Sequence, residues 1–439
     1  MRWATAFGMA AVLAATVRAS DPVTPEQAVQ IALRSNRLVR IATLEAGASS
    51  RSISVAGTRL WPVLSISADE GELLAPLVLR IPQGALGQVP GLGAFPVKST
   101  DITTNPQLTT LALVTIAQPL TQLPRIRLGV QLAQEEAGLS GELLRERRLQ
   151  IADEVRDACY DLARAEAGND AAGAAVKYAN ESVRAAKEAI ASRTILDSVE
   201  MEVEARRLDA LQKASSAANA VESARMHLNQ LLGRDLFEPL EIDLSAEQEA
   251  FLPTREVARA QAIGLRPEVR EAARKLNMAR LALRIRRRED DPDVSLTLSA
   301  AKTTSIDALP DPVVMLGLHA TWNPVDWGRK RTELDQRSAQ VQEADLALEE
   351  ARAQVALDVD VRYRAVGERK DALAAAESAF AAAREQHRVV SERFRAGAAL
   401  PKDVLEADFN EAEAKASWVA ARCDLRTAES ALTRAMGKE

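Results

Sequence analysis

Three histidines, His227, His319 and His387, and two cysteines, Cys159 and Cys423, are the first residues to test for chemistry in this 439-residue chain. They are scattered, and none has the spacing of a metal site. The chain has no glycine-rich phosphate loop, no nucleophile elbow and no Cys/His pair. Cys423 continues the stripe Leu405, Phe409, Ala412, Ala416, Val419, and Cys159 sits between Val155 and Leu162 at helical spacing. Both read as small apolar core residues. The many carboxylates stand beside Arg and Lys at helical spacing, as surface pairs do. Arg284, Arg286, Arg287 and Arg288 lie just before a predicted strand. They can meet lipid phosphates or line a solvated helix end. No constellation for hydrolysis emerges, and neither cofactor nor metal is expected.

The elements around these residues say more. From Pro292 to Arg329 the chain reads strand, polar loop, strand, helix start. Val294, Leu296 and Leu298 fall on one face of the first strand, and Val314, Leu316, Leu318, Ala320 and Trp322 on one face of the second. Val63–Leu73 alternates likewise, and Leu108–Leu120 reads as its returning strand. Between them, Pro76–Pro106 is dense in Pro and Gly and predicts a long exposed loop. A lone hairpin is not stable in water, so these strands need partners.

The rest predicts long helices. Aromatic residues are only 3% of the chain while Ala, Leu, Glu and Arg abound, a helical profile. Thr24-Pro25-Glu26-Gln27 is a capping box opening a helix to about Leu60. Further helices are expected over about Arg125–Ala167, from Gly168-Asn169-Asp170 to about Leu232 with an interruption near Arg193–Asp197, over Arg255–Arg288, from Arg329, and over Asp403–Met436. Leu334, Val341, Ala344, Leu348, Ala351 and Val355 form a coiled-coil seam. Gly233–Pro253 is a connector in which Leu240, Ile242 and Leu244 alternate.

Net charge is -6 with both signs interleaved, which leaves no basic face for nucleic acid. Residues 1–19 read as an export signal: Arg2, an apolar run from Trp3 to Val17, and a Val17-Arg18-Ala19 cleavage site. Loss of Arg2 and Arg18 takes the charge to -8. No later stretch reaches the ~20 apolar residues of a spanning helix, so any membrane crossing is by strands.

The two halves superpose in sequence. Val39 and Pro62 recur 230 residues on as Val269 and Pro292; Pro119 recurs at Pro324, Asp197 at Asp403 and Gly233 at Gly437, at offsets of 205, 206 and 204. The drop falls inside the first hairpin's longer loop. Ordered landmarks with one loop insertion predict a duplicated unit of helix, strand, strand, long helix, long helix. Its boundaries are 20–232, with a hairpin at about 62–120, then a connector over 233–253, and 254–439, with a hairpin at about 292–325.

Four strands cannot close a barrel, and an open edge in lipid leaves backbone groups unpaired. Three copies would supply twelve strands, within the range of outer-membrane barrels. The faces fit lipid on one side and water on the other, since a mid-depth charge on the lipid face costs about 2–4 kcal/mol. Trp61, Trp322 and Trp327 lie at the helix-side strand ends, where a membrane-interface girdle belongs. A soluble sheet packed on helices would alternate in the same way. A helix of about 65 residues from Gly328 to Gly397 would extend on the order of 100 Å, too long for one globular core.

The chain resembles, nearly from end to end, the TolC family of outer-membrane efflux and export channels. The resemblance rests on Thr24-Pro25-Glu26-Gln27-Ala28-Val29, Gln118-Pro119-Leu120, Leu231-Leu232-Gly233-Arg234, Leu265-Arg266-Pro267-Glu268-Val269 and Trp327-Gly328-Arg329. Arg393-Phe394-Arg395-Ala396-Gly397 followed by Asp403-Val404-Leu405-Glu406-Ala407 completes it. It implies a homotrimer with a shared twelve-stranded barrel, continued by an α-helical periplasmic barrel. That object is a passive exit duct for drug efflux or type I secretion, joined by a periplasmic adaptor to an inner-membrane pump, and is no enzyme. A pore-less periplasmic coiled-coil scaffold is the alternative. In the family the turn between the long helices is the periplasmic tip, which narrows the tunnel and contacts the adaptor. Here that assigns Phe394, Gly397, Asp403 and Glu406, with Asp197 in the first repeat. Three Glu406 carboxylates around an axis would favour cations; a solvated helix face is the plainer role. Asp403 also suits a cap beside a helix N-terminus. Two departures bear on the tip: Ala191 stands where Gly397 falls in the second repeat, and Ala399 is no long polar residue.

Overall fold

The computed structural model describes residues 22–72, 74–91, 93–104, 108–191, 197–244, 253–304 and 312–438. The expected export signal and the loop 305–311 lie outside them, as do residues 192–196, where most of the expected interruption falls.

The helix predicted from the capping box is two helices, α1 (Pro25–Ser35) and α2 (Arg37–Thr58). The box itself forms: the Gln27 amide donates to Thr24 Oγ1, and Gln27 Oε1 accepts the Thr24 N–H at 3.0 Å. The break at Asn36 has a cause. Its backbone turns extended (φ -63°, ψ 130°), and its buried amide donates to the Leu231 carbonyl at 2.9 Å while its Oδ1 accepts the Leu38 N–H at 2.8 Å. One side chain thus ends a neighbouring helix and starts its own.

Four long strands, β1 (Val63–Glu72), β6 (Leu108–Pro119), β7 (Asp293–Thr304) and β8 (Val313–Thr321), make one antiparallel sheet in the order β1-β6-β7-β8. The Pro76–Pro106 stretch is not the structureless loop its composition predicts. It pairs β2 (Leu77–Ile81) with β5 (Thr100–Thr104), and β3 (Gln88–Val89) with β4 (Gly93–Ala94). An Arg80–Asp101 ion pair at 2.8 Å crosses the first ladder.

Helix α3 runs unbroken from Leu123 to Ala191, through Gly168-Asn169-Asp170, where two helices were expected. Packing against neighbours overrides the poor propensity of those three residues. The remaining helices are α4 (Asp197–Leu232), α5 (Arg255–Leu265), α6 (Pro267–Arg288), α7 (Arg329–Arg395) and α8 (Pro401–Ala435). The single helix expected over Arg255–Arg288 is broken at Arg266, 230 residues after Asn36 and with almost the same backbone, φ -61° and ψ 131°. Pro267 keeps its predecessor out of the helical region. In the connector, Ile242 makes an isolated parallel bridge with Val23, so the alternation there yields one rung.

Two compact units share the chain, one comprising the chain up to Glu45, Gly141–Glu271 and Leu348 onward, the other Ala46–Ser140 and Ala272–Ala347. The first has a core of Ala28, Val29, Ala32, Ile151, Val155, Cys159, Leu162, Leu228 and Leu232, so α1 packs on α3 and α4. Cys159 and Cys423 are both buried, as their helical spacing predicts. The alanines let helix axes approach closely. Two helix ends are sealed alike: a Cβ on Gly233 (φ +68°) would lie 3.0 Å from the Ser35 carbonyl oxygen, and one on Gly437 (φ +75°) 2.9 Å from the Leu265 carbonyl carbon. Glycine's missing side chain permits both the turn and the contact.

Candidate channel-forming sheet and helix turn

The sheet's register shows what its faces can do. Directly paired residues share a face, so Leu64, Ile116, Leu298 and Leu316 form one row across all four strands, and Ile66, Val114, Ala300 and Val314 the next. Leu296 and Leu318 pair on the same face. No charge interrupts these rows, and their large side chains are exposed or only half-buried. Glu70, Glu72 and Lys302 stand on that face, at its loop-side rim. Opposite lie Ser65, Ser67, Thr115, Ser295, Thr297, Ser299 and His319, with Leu111, Leu113, Val313 and Met315 nearer the loops. The outer strands β1 and β8 are each paired on one side only. The sheet therefore has one greasy face, one face rich in Ser and Thr and, among the described residues, two open edges.

The three tryptophans fall at one end of this sheet, all exposed: Trp61 at 70%, Trp322 at 59% and Trp327 at 97%. Trp327 has φ 58°, a left-handed conformation rare for a bulky residue, and Gly328 follows at φ 91°. Asp326 closes this turn, accepting from the backbone N–H groups of Gly328 (3.3 Å) and Lys330 (2.8 Å), and so starts α7.

The α7–α8 turn lies in the first unit. Gly397 takes φ +75°, its N–H donates to the Phe394 carbonyl at 2.9 Å, and Ala398 N–H reaches Arg393 at 2.7 Å. These are the two bonds of a Schellman stop. Pro401 opens α8, and Asp403 Oδ2 accepts the Leu400 N–H at 2.9 Å. Asp403 is thus engaged as a helix-start carboxylate. Glu406 is exposed, as are Phe394 and Leu400, at 43% and 57%. Asp197 is the first residue of α4. Residues 192–196, the counterpart of this turn in the first repeat, lie outside the described residues.

Contacts along α7 and α8 hold the turn. Phe380 stacks on Trp418 with centroids 5.6 Å apart, His387 hydrogen-bonds Glu411, and Arg369 meets Asp424 at 3.4 Å. Tyr178 of α3 stacks on Phe409 of α8 at 6.1 Å. The expected seam of α7 faces inward at all six positions, with Leu348 and Val355 buried, and continues to Val359 and Val366.

Sequence reasoning missed the ion-pair node at the α5–α6 break. Arg266 donates to Glu268 (2.5 Å), Asp358 (2.6 Å) and the Ala435 carbonyl (3.4 Å). Ala435 is the 204-residue counterpart of Leu231, so Arg266 ends α8 as Asn36 ends α4. Burial would raise the Glu268 and Asp358 carboxyls, but the hydrogen bonds from Arg266 outweigh it and hold both below the usual range. The Arg266-Pro267 dipeptide was the available signal. Asp157 goes the other way: burial, then the charge of Asp153, pushes it up to about 6. Among the described residues no cluster of His, Cys, Asp or Glu could hold a metal, and no helix is long and apolar enough to cross a membrane.

Comparison with known proteins agrees with this geometry. Residues 258–438 match the family model for outer membrane efflux proteins. The fold is similar to that of the Campylobacter jejuni CmeC outer membrane channel (TM-score 0.76, 14% identity, covering 97% of this chain and 90% of that one). It is similar also to the outer membrane protein VceC of Vibrio cholerae (0.70, 16%, 94% and 96%) and to the open MtrE outer membrane channel of Neisseria gonorrhoeae (0.73, 19%, 94% and 89%). No curated protein sequence matches. A fold of long helices with one four-stranded antiparallel sheet is therefore shared with these outer membrane proteins, and residues 258–438 are similar to the outer membrane efflux protein family.

Proposed function

We propose that the protein is a homotrimeric outer-membrane duct, extending into the periplasm and serving efflux or secretion as a passive conduit. The observation that carries this is the sheet: apolar rows unbroken across four strands, with both outer edges unpaired. In lipid the unpaired edges of β1 and β8 must find partners, and other copies of the same chain supply them. Three copies give a twelve-stranded barrel with the serine- and threonine-rich face toward water. The helices then form the periplasmic part of the conduit, built from two structural repeats. The likeness of residues 258–438 to outer membrane efflux proteins supports an adaptor protein and an inner-membrane pump as partners, with the α7–α8 turn at Phe394, Gly397, Asp403 and Glu406, and the start of α4 at Asp197, as the tip they meet.

The test is reconstitution of the full chain in planar bilayers. Discrete conductance steps from a detergent-stable trimer are expected. A species soluble without detergent and silent in bilayers would instead identify a pore-less scaffold.

A further inference from the structure

The antiparallel register brings four segments to the same end of the sheet: the start of β1, the end of β6, the start of β7 and the end of β8. Contacts bind them together there. Gln118 Nε2 donates to the Leu60 carbonyl at 3.2 Å, Thr121 Oγ1 donates to the Pro292 carbonyl at 2.6 Å, Arg125 meets Asp293 at 3.1 Å, and Lys330 meets Asp290 at 3.7 Å. This end is basic in a chain of net negative charge. Residues 57–62, 120–127, 284–293 and 322–333 hold ten Arg or Lys against six Asp or Glu.

The acids there are already engaged. Arg286, itself buried, takes Glu333 at 2.6 Å, Asp290 at 3.1 Å and Glu289 at 3.5 Å. Asp291 meets Arg288 at 3.5 Å, Asp293 meets Arg125, and Asp326 caps α7. Arg59, Arg127, Arg284, Arg287 and Arg331 are exposed, and among the described residues none has an acid within ion-pair distance. Arg284, Arg287 and Arg288 share one face of α6.

Helix electrostatics explain only part of this. Arg286, Arg287 and Arg288 suit the C-terminal turn of α6, but Arg329, Lys330 and Arg331 crowd the first turn of α7, which contains no acid. Cations at a helix N-terminus are unfavourable. Trp327 beside them is almost wholly exposed and held left-handed. Both features are costly in water, and both are relieved at a lipid headgroup layer, where indole rings and guanidinium groups settle.

We propose that this end of the sheet is a collar that binds anionic phospholipid headgroups of the periplasm-facing leaflet, with Arg284, Arg287 and Arg331 as its phosphate ligands. The proposal rests on the sheet being the membrane-embedded part. The uncommitted guanidiniums supply planar donors to phosphate, and the engagement of the neighbouring acids removes their competition.

Native mass spectrometry of the detergent-solubilised full chain, titrated with phosphatidylglycerol or phosphatidylethanolamine, tests it. Phosphatidylglycerol is expected to bind about tenfold more tightly, with affinity falling as salt rises, and Arg284→Gln/Arg287→Gln/Arg331→Gln to abolish that preference. The control Arg384→Gln/Arg393→Gln should leave it intact. Equal binding of the two lipids, a preference unchanged by salt, or one retained in a folded triple variant would each overturn the collar. So would displacement of the lipid by millimolar inorganic phosphate, which would mark a site for free anions. The salt series on the unmodified chain decides even if the triple variant does not fold. Conductance without lipid preference defeats the collar alone; failure to insert into bilayers defeats the channel reading as well.

Discussion

Asp403 and Glu406 stand one turn apart, but their surroundings give them different work. Asp403 is tied to the Leu400 N–H, so Asp403→Ala should cost about 0.5–1 kcal/mol, seen as a lower thermal midpoint. Glu406 is exposed and carries no such duty. Glu406→Lys should leave stability within about 0.5 kcal/mol and reduce cation preference in reversal-potential measurements. Unaltered selectivity in an assembled variant would return Glu406 to an ordinary solvated surface. Asp157 makes the second prediction at this scale. Its carboxyl is raised to about 6 by burial and by Asp153, whose own oxygens accept from Ser430 at 2.8 Å and Arg434 at 3.1 Å. A raised folded value means the neutral acid is the favoured form. Its contribution is full below the ordinary carboxylate range and is lost as pH rises through about 6. Asp157→Asn should therefore flatten the pH dependence of thermal stability between pH 5 and 8. It should exceed the wild type at pH 8 by about 1 kcal/mol, because water still screens the half-buried carboxyl.

Among the elements, the strands were the most legible, because the alternation of apolar and polar residues has the two-residue period of a strand. The row Leu64, Ile116, Leu298, Leu316 follows from pairing those faces in register. If that face meets lipid, Leu298→Arg should lower folding stability in vesicles by about 2–4 kcal/mol while Thr297→Arg, one residue along and facing the other way, costs far less. Similar losses at both positions would place the sheet against protein and not lipid. The helix breaks were harder to see. Apolar periodicity runs through Asn36 and Arg266 without losing phase, and what interrupts each helix is a side chain bound to a carbonyl some 170–200 residues away. Only Pro267 marked one of the breaks locally. In the first hairpin, the density of Pro and Gly hid short alternating runs at Leu77–Ile81 and Thr100–Thr104. The turn at Gly397 was readable because a left-handed stop followed by proline is a local signature. What Glu406 faces was not, since in the proposed trimer that would depend on the other copies of the chain.

For the whole molecule the question is how many copies close the sheet. Each chain contributes four paired strands and leaves β1 and β8 open. If β8 of one copy pairs with β1 of the next, the contact is head to tail, and such contacts either close into a ring or grow without end. Strand twist and tilt set where closure occurs: eight strands from two copies leave an interior that side chains fill, whereas twelve open a water-holding lumen. A conduit therefore needs the third copy. Co-expression of two differently tagged chains tests this without any mutation in the sheet. A closed trimer yields four species by native mass, a dimer three, and an open filament a ladder with no end point. Conductance should belong to the species containing three chains, whichever tags it carries, because the tags lie outside the strands that build the pore. Conductance from a two-chain species would mean that eight strands suffice, and the unpaired edges would then no longer argue for a trimer.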